Sequence, residues 1–275
     1  MFKIYDLNMK ELPFPEGVKP LDIFVGSVNK RRLTEEFEGR SGTLNYGYDY
    51  GERSVDLSLW LEAHDAIDYR LIRNELYAFF DTHDVFYIEE TRVPSRVLKV
   101  TIDESYIPER INQTHSSVEI SCRTLDSVFW ETKYTTLELH DSGYSALVEK
   151  YGLVDNIDDE KVQYRFSENN FTVYNAGNVA VEPESMYISI LFYYCSIPDG
   201  KMTVKNLTTG DTLIINSTEN RKHIRQDGMV FTIGGVNRFR DTNRSFISLA
   251  PGDNRFEITG ATFDEVRIDF KYYYK

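Results

Sequence analysis

The N-terminal half of the chain centres on the segment Ser54-Val55-Asp56-Leu57-Ser58-Leu59-Trp60-Leu61. Aliphatic side chains occupy every second position of this segment. Because successive side chains of a β-strand point to opposite faces of the sheet, these aliphatic side chains share one face. The segment therefore predicts a strand with one face buried in a core.

A helix is predicted shortly after this strand. Apolar side chains recur on one helical face, at Tyr69, Ile72, Leu76 and Phe79 or Phe80. Asp65 or Asp68 is suited to cap or charge the start of the helix, and residues 81–84 (Asp-Thr-His-Asp) end it.

The segment before the strand is rich in glycine and tyrosine. Gly39-Arg40-Ser41-Gly42 and Tyr46-Gly47-Tyr48-Asp49-Tyr50-Gly51 predict a hairpin region, because glycine accepts the backbone angles of tight turns. Short strands are predicted after the helix, at 85–88, 97–102 and 118–122. The N-terminal half is therefore predicted to be α+β, a sheet with one packed helix.

The C-terminal half is predicted to consist of β-strands alone. Turn signals occur at Pro198-Asp199-Gly200, Thr209-Gly210-Asp211 and Pro251-Gly252-Asp253-Asn254. Strands are predicted around these turns, at 186–194, 202–206, 212–215, 229–233, 255–258 and 266–274. Short strands with turn signals at this spacing favour an antiparallel sandwich.

A polar, acidic stretch separates the two halves. It contains Asp155-Asn156-Ile157-Asp158-Asp159-Glu160, and a short helix over 144–151 is possible before it. We therefore expect a mainly β protein with one packed helix, in two domains. The expected bounds are residues 1–140 for the N-terminal domain, 141–163 for the connector and 164–275 for the C-terminal domain.

Composition and charge exclude several functional classes. The 275 residues hold 31 basic and 44 acidic side chains, a formal charge of −13, which argues against nucleic acid and anionic membranes as partners. No apolar run approaches the ~20 residues of a membrane span. The first residues have no apolar signal segment, so we expect synthesis in a cytosol.

The sequence contains no recognisable catalytic, metal or cofactor motif. The five histidines lack metal-ligand spacing, and no phosphate-binding loop or nucleophile elbow occurs. Cys122 and Cys195 lie in strand patterns and are expected to be buried, unreactive thiols. We therefore expect no enzymatic activity, no cofactor, and no catalytic, cofactor-binding or metal-binding residue.

Two features favour contacts with other molecules. Lys30-Arg31-Arg32 is the basic run of the chain, and Glu35, Glu36 and Glu38 follow it closely, so a solvated face or an ion-pairing subunit contact is predicted there. Tyrosines cluster at 46–50 and 272–274. Such clusters occur at protein interfaces and in carbohydrate platforms, but also as ordinary filling of a β-sheet.

A family resemblance rests on motifs in both halves. In the N-terminal half they are Arg40-Ser41-Gly42-Thr43, the strand at 53–59 and the helix containing residues 69–76. In the C-terminal half they are Phe171-Thr172-Val173-Tyr174-Asn175-Ala176-Gly177-Asn178, Glu182-Pro183, Leu207-Thr208-Thr209-Gly210-Asp211 and Leu249-Ala250-Pro251-Gly252-Asp253-Asn254. In their order and spacing, these motifs resemble the distal tail (Dit) proteins of siphophages that infect Gram-positive bacteria.

The resemblance implies a structural protein of the virion, located at the distal end of the phage tail. Its N-terminal domain, a β-sandwich with a helix and an extended hairpin, builds a homo-oligomeric ring, typically a hexamer. Its C-terminal domain is a galectin-like antiparallel β-sandwich. The ring joins the tail tube to the tail-associated (Tal) protein, with the tape measure and receptor-binding proteins as further possible partners.

Residues 30–51 supply the candidate ring surface, since a projecting hairpin with tyrosines offers reach and contact area. The alternative function is a carbohydrate-binding or adhesin module that contacts the bacterial cell wall. A lectin needs a solvent-facing aromatic platform beside polar groups, whereas a hub needs its aromatic side chains in cores and subunit contacts.

Overall fold

The computed structural model describes residues 1–39, 41–143 and 157–275. The chain divides into two compact units, Met1–Trp130 with Lys275, and Glu131–Tyr274. The division lies before the predicted boundary at 140, because the short helix Thr136–Ser142 packs within the second unit. Residues 144–156, with the possible helix at 144–151, lie outside the described residues, so the connector at 141–163 stays a prediction.

The first unit contains one helix and nine strands among its described residues. They are β1 (Phe2–Tyr5), β2 (Val18–Val25), β3 (Asn29–Glu36), β4 (Thr43–Gly51), β5 (Ser54–Glu62), α1 (Asp68–Thr82), β6 (Val85–Glu90), β7 (Arg96–Ile102), β8 (Glu109–Arg110) and β9 (His115–Thr124).

The main sheet of this unit is antiparallel, in the order β1-β6-β7-β9-β5-β2. The sheet curls, so that the outer strands β1 and β2 approach each other, and the N-terminal amine of Met1 lies 3.9 Å from the carboxylate of Asp22. The strands β3 and β4 form a hairpin separate from this sheet.

The strand and the helix predicted at the centre of this half are confirmed. The aliphatic face of β5 is fully buried, with 0% exposure at Val55, Leu57, Leu59 and Leu61. The helix α1 buries Tyr69, Ile72, Leu76 and Phe80 against the same core. Burying each such side chain contributes roughly 2 kcal/mol to folding, so this apolar stripe holds the helix on the sheet.

The second unit adds a short helix and the remaining strands. They are β10 (Trp130–Thr132), α2 (Thr136–Ser142), β11 (Arg165–Phe166), β12 (Asn170–Asn175), β13 (Ile188–Cys195), β14 (Met202–Asn206), β15 (Thr212–Ile215), β16 (Lys222–Asp227), β17 (Val230–Ile233), β18 (Val236–Asn237), β19 (Gly252–Thr259), β20 (Glu265–Phe270) and β21 (Tyr273–Tyr274). Single 3₁₀ turns lie at Asp159–Lys161 and Phe239–Asp241.

The second unit is an antiparallel β-sandwich, as predicted. One sheet has the order β11-β20-β13-β16-β17-β18 and the other β12-β19-β14-β15. Side chains from both sheets meet in the core: Phe166 stacks on Phe171 with ring centroids 4.2 Å apart, and Cys195 Sγ lies 3.8 Å from Met202 Sδ. The helix α2, which the sequence did not predict, begins with a capping box between Thr135 and Glu138.

Buried asparagines hold the loop before β19, and two of them belong to the motifs noted above. Asn254 Nδ2 donates to the carbonyls of Ala250 (2.7 Å) and Gly252 (3.1 Å), while its Oδ1 accepts from Ala250 N and from Asn206 Nδ2. Asn175 Nδ2 also donates to the carbonyl of Ala250. These motif residues therefore act by satisfying buried backbone groups of one loop.

The described residues contain no helix that is long and apolar enough to cross a membrane.

Candidate assembly surface

The β3–β4 hairpin (residues 29–51) is an almost fully exposed element of the first unit. Every residue of β3 is exposed, and Lys30 pairs with Tyr50, while Arg32 pairs with Tyr48. The hairpin is longer than the predicted 39–51, because the basic run lies within β3 and not before it. Cross-strand pairing, and not burial of an apolar face, holds β3 in place, so its sequence lacks the alternation of a core strand.

Aromatic contacts fasten the base of the hairpin. The rings of Tyr50 and Phe129 make an edge contact with centroids 5.0 Å apart, and Phe129 is buried. Tyr48 packs on Tyr50 at 5.4 Å, and Lys30 Nζ lies 4.5 Å from the centre of the Tyr48 ring. The base of the hairpin is therefore braced, which gives its outer part a defined position.

The outer part of the hairpin presents apolar area to solvent. Leu33, Phe37, Tyr46 and Tyr48 are 42–61% exposed. The hydroxyl of Tyr46 donates to Glu35 Oε2 at 2.9 Å, and this hydrogen bond raises the pKa of Tyr46. Exposed aromatic and aliphatic side chains on one projecting element are typical of an interaction surface.

Charges of both signs lie on the same hairpin. Arg31 pairs with Asp49 across the strands, with 3.7 Å between nitrogen and oxygen. Arg32, Glu36 and Glu38 have no ion-pair partner among the described residues. The basic run therefore does not pair with the glutamates that follow it, and both charge types remain available to a neighbouring molecule.

A turn and a bulge shape the hairpin. Gly39 and Gly42 have φ angles of +84° and +89° at its tip, and Gly47 has φ +116° beside a shift in strand register between Arg32 and Thr34. These backbone angles favour glycine. The glycine-rich turn prediction is confirmed, although Arg40 lies outside the described residues.

Strand β2 adds a second exposed apolar feature that the sequence analysis missed. This strand is at the edge of the main sheet, and its side chains Leu21 and Phe24 are 45% and 60% exposed. Pro20 lies within this strand, beside a shift in strand register. Because proline is uncommon inside strands, the sequence pattern did not predict this one.

Two tyrosine clusters that resemble each other in sequence have opposite surroundings. Tyr272, Tyr273 and Tyr274 are at most 5% exposed and belong to the core of the second unit. The hydroxyls of Tyr272 and Tyr164 share a hydrogen bond, and Tyr164 donates to the carbonyl of Tyr174 at 2.8 Å. The cluster at 272–274 is therefore sheet filling, whereas Tyr46 and Tyr48 are exposed.

The two thiols of the chain are buried. Both cysteines are buried free thiols, as predicted, and burial raises the pKa of each to about 12. Across residues 1–39, 41–143 and 157–275, no group of three or more histidine, cysteine or acidic side chains is placed to hold a metal ion.

One part of the N-terminal half matches the model of a known protein family. Residues 15–122 match the family described as the phage tail protein RIFT-related domain. These residues contain the β3–β4 hairpin, most of the main sheet and α1. This part of the chain is therefore similar to phage tail protein RIFT-related domains.

A solved structure extends the likeness over the whole chain. The crystal structure of the Dit protein of phage SPP1, described as a paradigm of the hub adsorption apparatus in phages that infect Gram-positive bacteria, matches with a TM-score of 0.69. The match covers 100% of both chains at 10% sequence identity. The activated phage p2 baseplate with Sr gives a TM-score of 0.45 at 9% identity, over 98% of this chain and 97% of that one. No curated protein matches the sequence.

The chain thus has the fold of a distal tail protein, and the resemblance drawn from its motifs is confirmed. The predicted combination of a helix-bearing N-terminal domain and a C-terminal β-sandwich is confirmed with it.

Proposed function

We propose that this protein is the distal tail hub of a siphophage, a structural virion protein at the tip of the tail. Its ring joins the tail tube to a tail-associated (Tal) protein and to host-recognition components. The observation that carries the proposal is that a phage tail domain at residues 15–122 lies within a chain whose complete fold matches a Dit protein.

The first unit builds the ring, most simply one of six copies. A head-to-tail ring needs two unlike surfaces on each copy. The β3–β4 hairpin, with its exposed tyrosines and unpaired charges, is one such surface, and the exposed edge strand β2 is a candidate for the other. The tail tube protein, the Tal protein, the tape measure and the receptor-binding proteins are the partners proposed for the assembled ring.

Removal of the hairpin from the full-length protein tests this assembly. Deleting residues 30–50 joins Asn29 directly to Gly51, its partner in the strand register. Asn-Gly is the preferred sequence of a two-residue hairpin turn, so the shortened chain retains a plausible connection to β5. We expect light scattering to give a ring mass for the parent and a monomer mass for the shortened chain.

A double variant, Tyr46→Ser with Tyr48→Ser, keeps the backbone of the hairpin and removes two of its tyrosine rings. It therefore tests the tyrosines without shortening the chain. We expect it to weaken the ring without changing the circular dichroism spectrum. Equal rings from all three proteins would exclude the hairpin from assembly. Antibody labelling of the tail shaft or capsid, and not of the tail tip, would exclude the hub function itself.

We also propose that the protein has no enzymatic activity. Its structural matches are phage tail proteins, and both thiols are buried with raised pKa values. Incubation with peptidoglycan or wall polysaccharide is expected to release no soluble sugar or peptide. Turnover that disappears when one specific carboxylate is replaced would overturn this proposal.

A further inference from the structure

An exposed aromatic patch lies on the second unit, on strands β13 and β16. The ring centroids of Tyr193 and Tyr194 lie 5.0 Å and 4.8 Å from that of His223. Tyr194 is 46% exposed and His223 is also exposed. We call these three side chains the tyrosine–histidine patch.

A bulge brings the two consecutive tyrosines to one side of the sheet. In a regular strand their side chains would point to opposite faces. The register between β13 and β16 shifts between Phe192 and Cys195, and Tyr194 has a φ of +47°. A positive φ lies in the left-handed region of backbone angles, where a tyrosine is strained. The fold therefore places this ring on the patch at a cost in stability.

Polar side chains surround the patch. The guanidinium of Arg221 lies 5.0 Å from the centre of the Tyr194 ring, and that of Arg267 lies 4.1 Å from the Tyr193 ring. Arg221 pairs with Asp264 at 3.3 Å, and Arg267 pairs with Glu265. Each of the two tyrosine rings therefore lies beside a guanidinium, and each guanidinium is paired with a carboxylate that neutralises its charge.

This balance of charge indicates the chemistry of the occupant. An anionic ligand would have to displace the carboxylates of two existing ion pairs, and a cationic ligand would have to displace the guanidiniums. A neutral ligand displaces neither, while guanidinium N–H groups and carboxylate oxygens that are not used in the pair remain free to bind hydroxyls. A rigid aromatic surface in addition favours a flat, apolar C–H face. One class of molecule with an apolar C–H face and a rim of hydroxyls is the pyranose sugar.

We propose that the tyrosine–histidine patch binds a neutral pyranose of a glycan. The rings of Tyr194 and His223 contact its C–H face, and the paired side chains of Arg221, Asp264, Glu265 and Arg267 bind its hydroxyls. This binding site is independent of the hub function, since it lies in the second unit and uses no residue of the β3–β4 hairpin.

The experiment uses the full-length protein and saturation-transfer difference NMR. The probes are methyl glycosides of glucose, galactose and N-acetylglucosamine, with the methyl glycoside of glucuronic acid as an anionic probe. We expect ring-proton signals from at least one neutral probe and none from the glucuronide. Tyr194→Gly removes the ring while relieving the backbone strain, and it is expected to weaken binding about tenfold.

Tyr187→Ala is the matched control, because Tyr187 is a 38% exposed tyrosine of the same unit outside the patch. Its binding is expected to equal that of the parent. The proposal is overturned if no neutral glycoside binds, if only the glucuronide binds, or if Tyr194→Gly binds as tightly as the parent. A hub that forms its ring but binds no glycoside would refute this site and leave the hub function standing.

Discussion

Buried amide side chains in this protein make hydrogen bonds to the backbone of loops. Asn254 is 0% exposed, and its amide makes hydrogen bonds to both the N–H and the carbonyl of Ala250. It does so from within β19, so one buried amide fixes the loop that precedes its own strand. This residue of the motif at 249–254 therefore has a structural role, because it holds the loop in place.

At the residue scale, we expect Asn254→Ala to lower the free energy of unfolding by about 3 kcal/mol, because it removes the acceptor of the Ala250 N–H and a donor to the carbonyls of Ala250 and Gly252. Chemical denaturation followed by circular dichroism measures this loss. Asn216→Ala is the control, since Asn216 is exposed and should change stability by less than about 0.5 kcal/mol. Equal effects of the two substitutions would contradict the role of Asn254.

At the element scale, the start of α1 depends on Asp65. Its Oδ1 accepts from the N–H groups of Ile67 (2.7 Å) and Asp68 (2.8 Å), which have no partner within the helix. These backbone hydrogen bonds lower the pKa of Asp65. Because the folded protein holds the ionised form, this stabilisation is present above the ordinary pKa and is lost as the pH falls through the lowered one.

We therefore expect Asp65→Ala to lower the melting temperature near neutral pH, with the difference from the parent shrinking as the pH falls below the ordinary pKa of an aspartate. Calorimetry across this pH range measures the effect. Asp81→Ala is the matched control, because Asp81 is an exposed carboxylate in the last turn, where a negative charge opposes the helix dipole. A loss from Asp65→Ala that stays constant at low pH would contradict a role for its charge.

At the scale of the whole molecule, net charge acts on the proposed ring. Each copy carries a formal charge of −13, so copies repel one another at low ionic strength. Salt shortens the distance over which this repulsion acts, from about 30 Å at 0.01 M to about 10 Å at 0.1 M. Apolar contacts through Leu33, Phe37 and the hairpin tyrosines are not weakened by such screening.

We therefore expect the ring to gain stability as salt rises over this range, measured by light scattering at a fixed protein concentration. Glu36→Gln with Glu38→Gln should reduce the salt dependence, since it removes two exposed negative charges from the hairpin. Dissociation of the ring by added salt would instead show that ion pairs between copies dominate the contact.

The division into two units also leads to an expectation for the whole chain. We expect limited proteolysis to cut first within residues 141–163, because this stretch of the sequence is polar and acidic. Mass spectrometry of the first fragments locates the cut. First cuts within β5 or β13 would contradict the two-domain organisation.

Much of the local structure followed from pattern alone. The alternation at 54–61, the helical stripe from Tyr69 to Phe80 and the strand bounds Met202–Asn206 and Thr212–Ile215 agree with the structure, because each depends on burial of one continuous apolar face. Strand β16 was missed because Gln226 occupies one of its buried positions. Its amide is satisfied there by the backbone of Ile247, a partner remote in sequence.

The sequence by itself determined the fold class, the buried state of both cysteines and the order of motifs that indicates a distal tail protein. These properties depend on short-range periodicity, turn chemistry and composition. Only the tertiary structure decided which tyrosines face solvent. Tyr272–Tyr274 are buried, while a bulge places Tyr193 and Tyr194 beside His223. The physical reason is that the exposure of a ring depends on strand register and on what packs across the sheet. The neighbouring residues in the sequence determine neither of these.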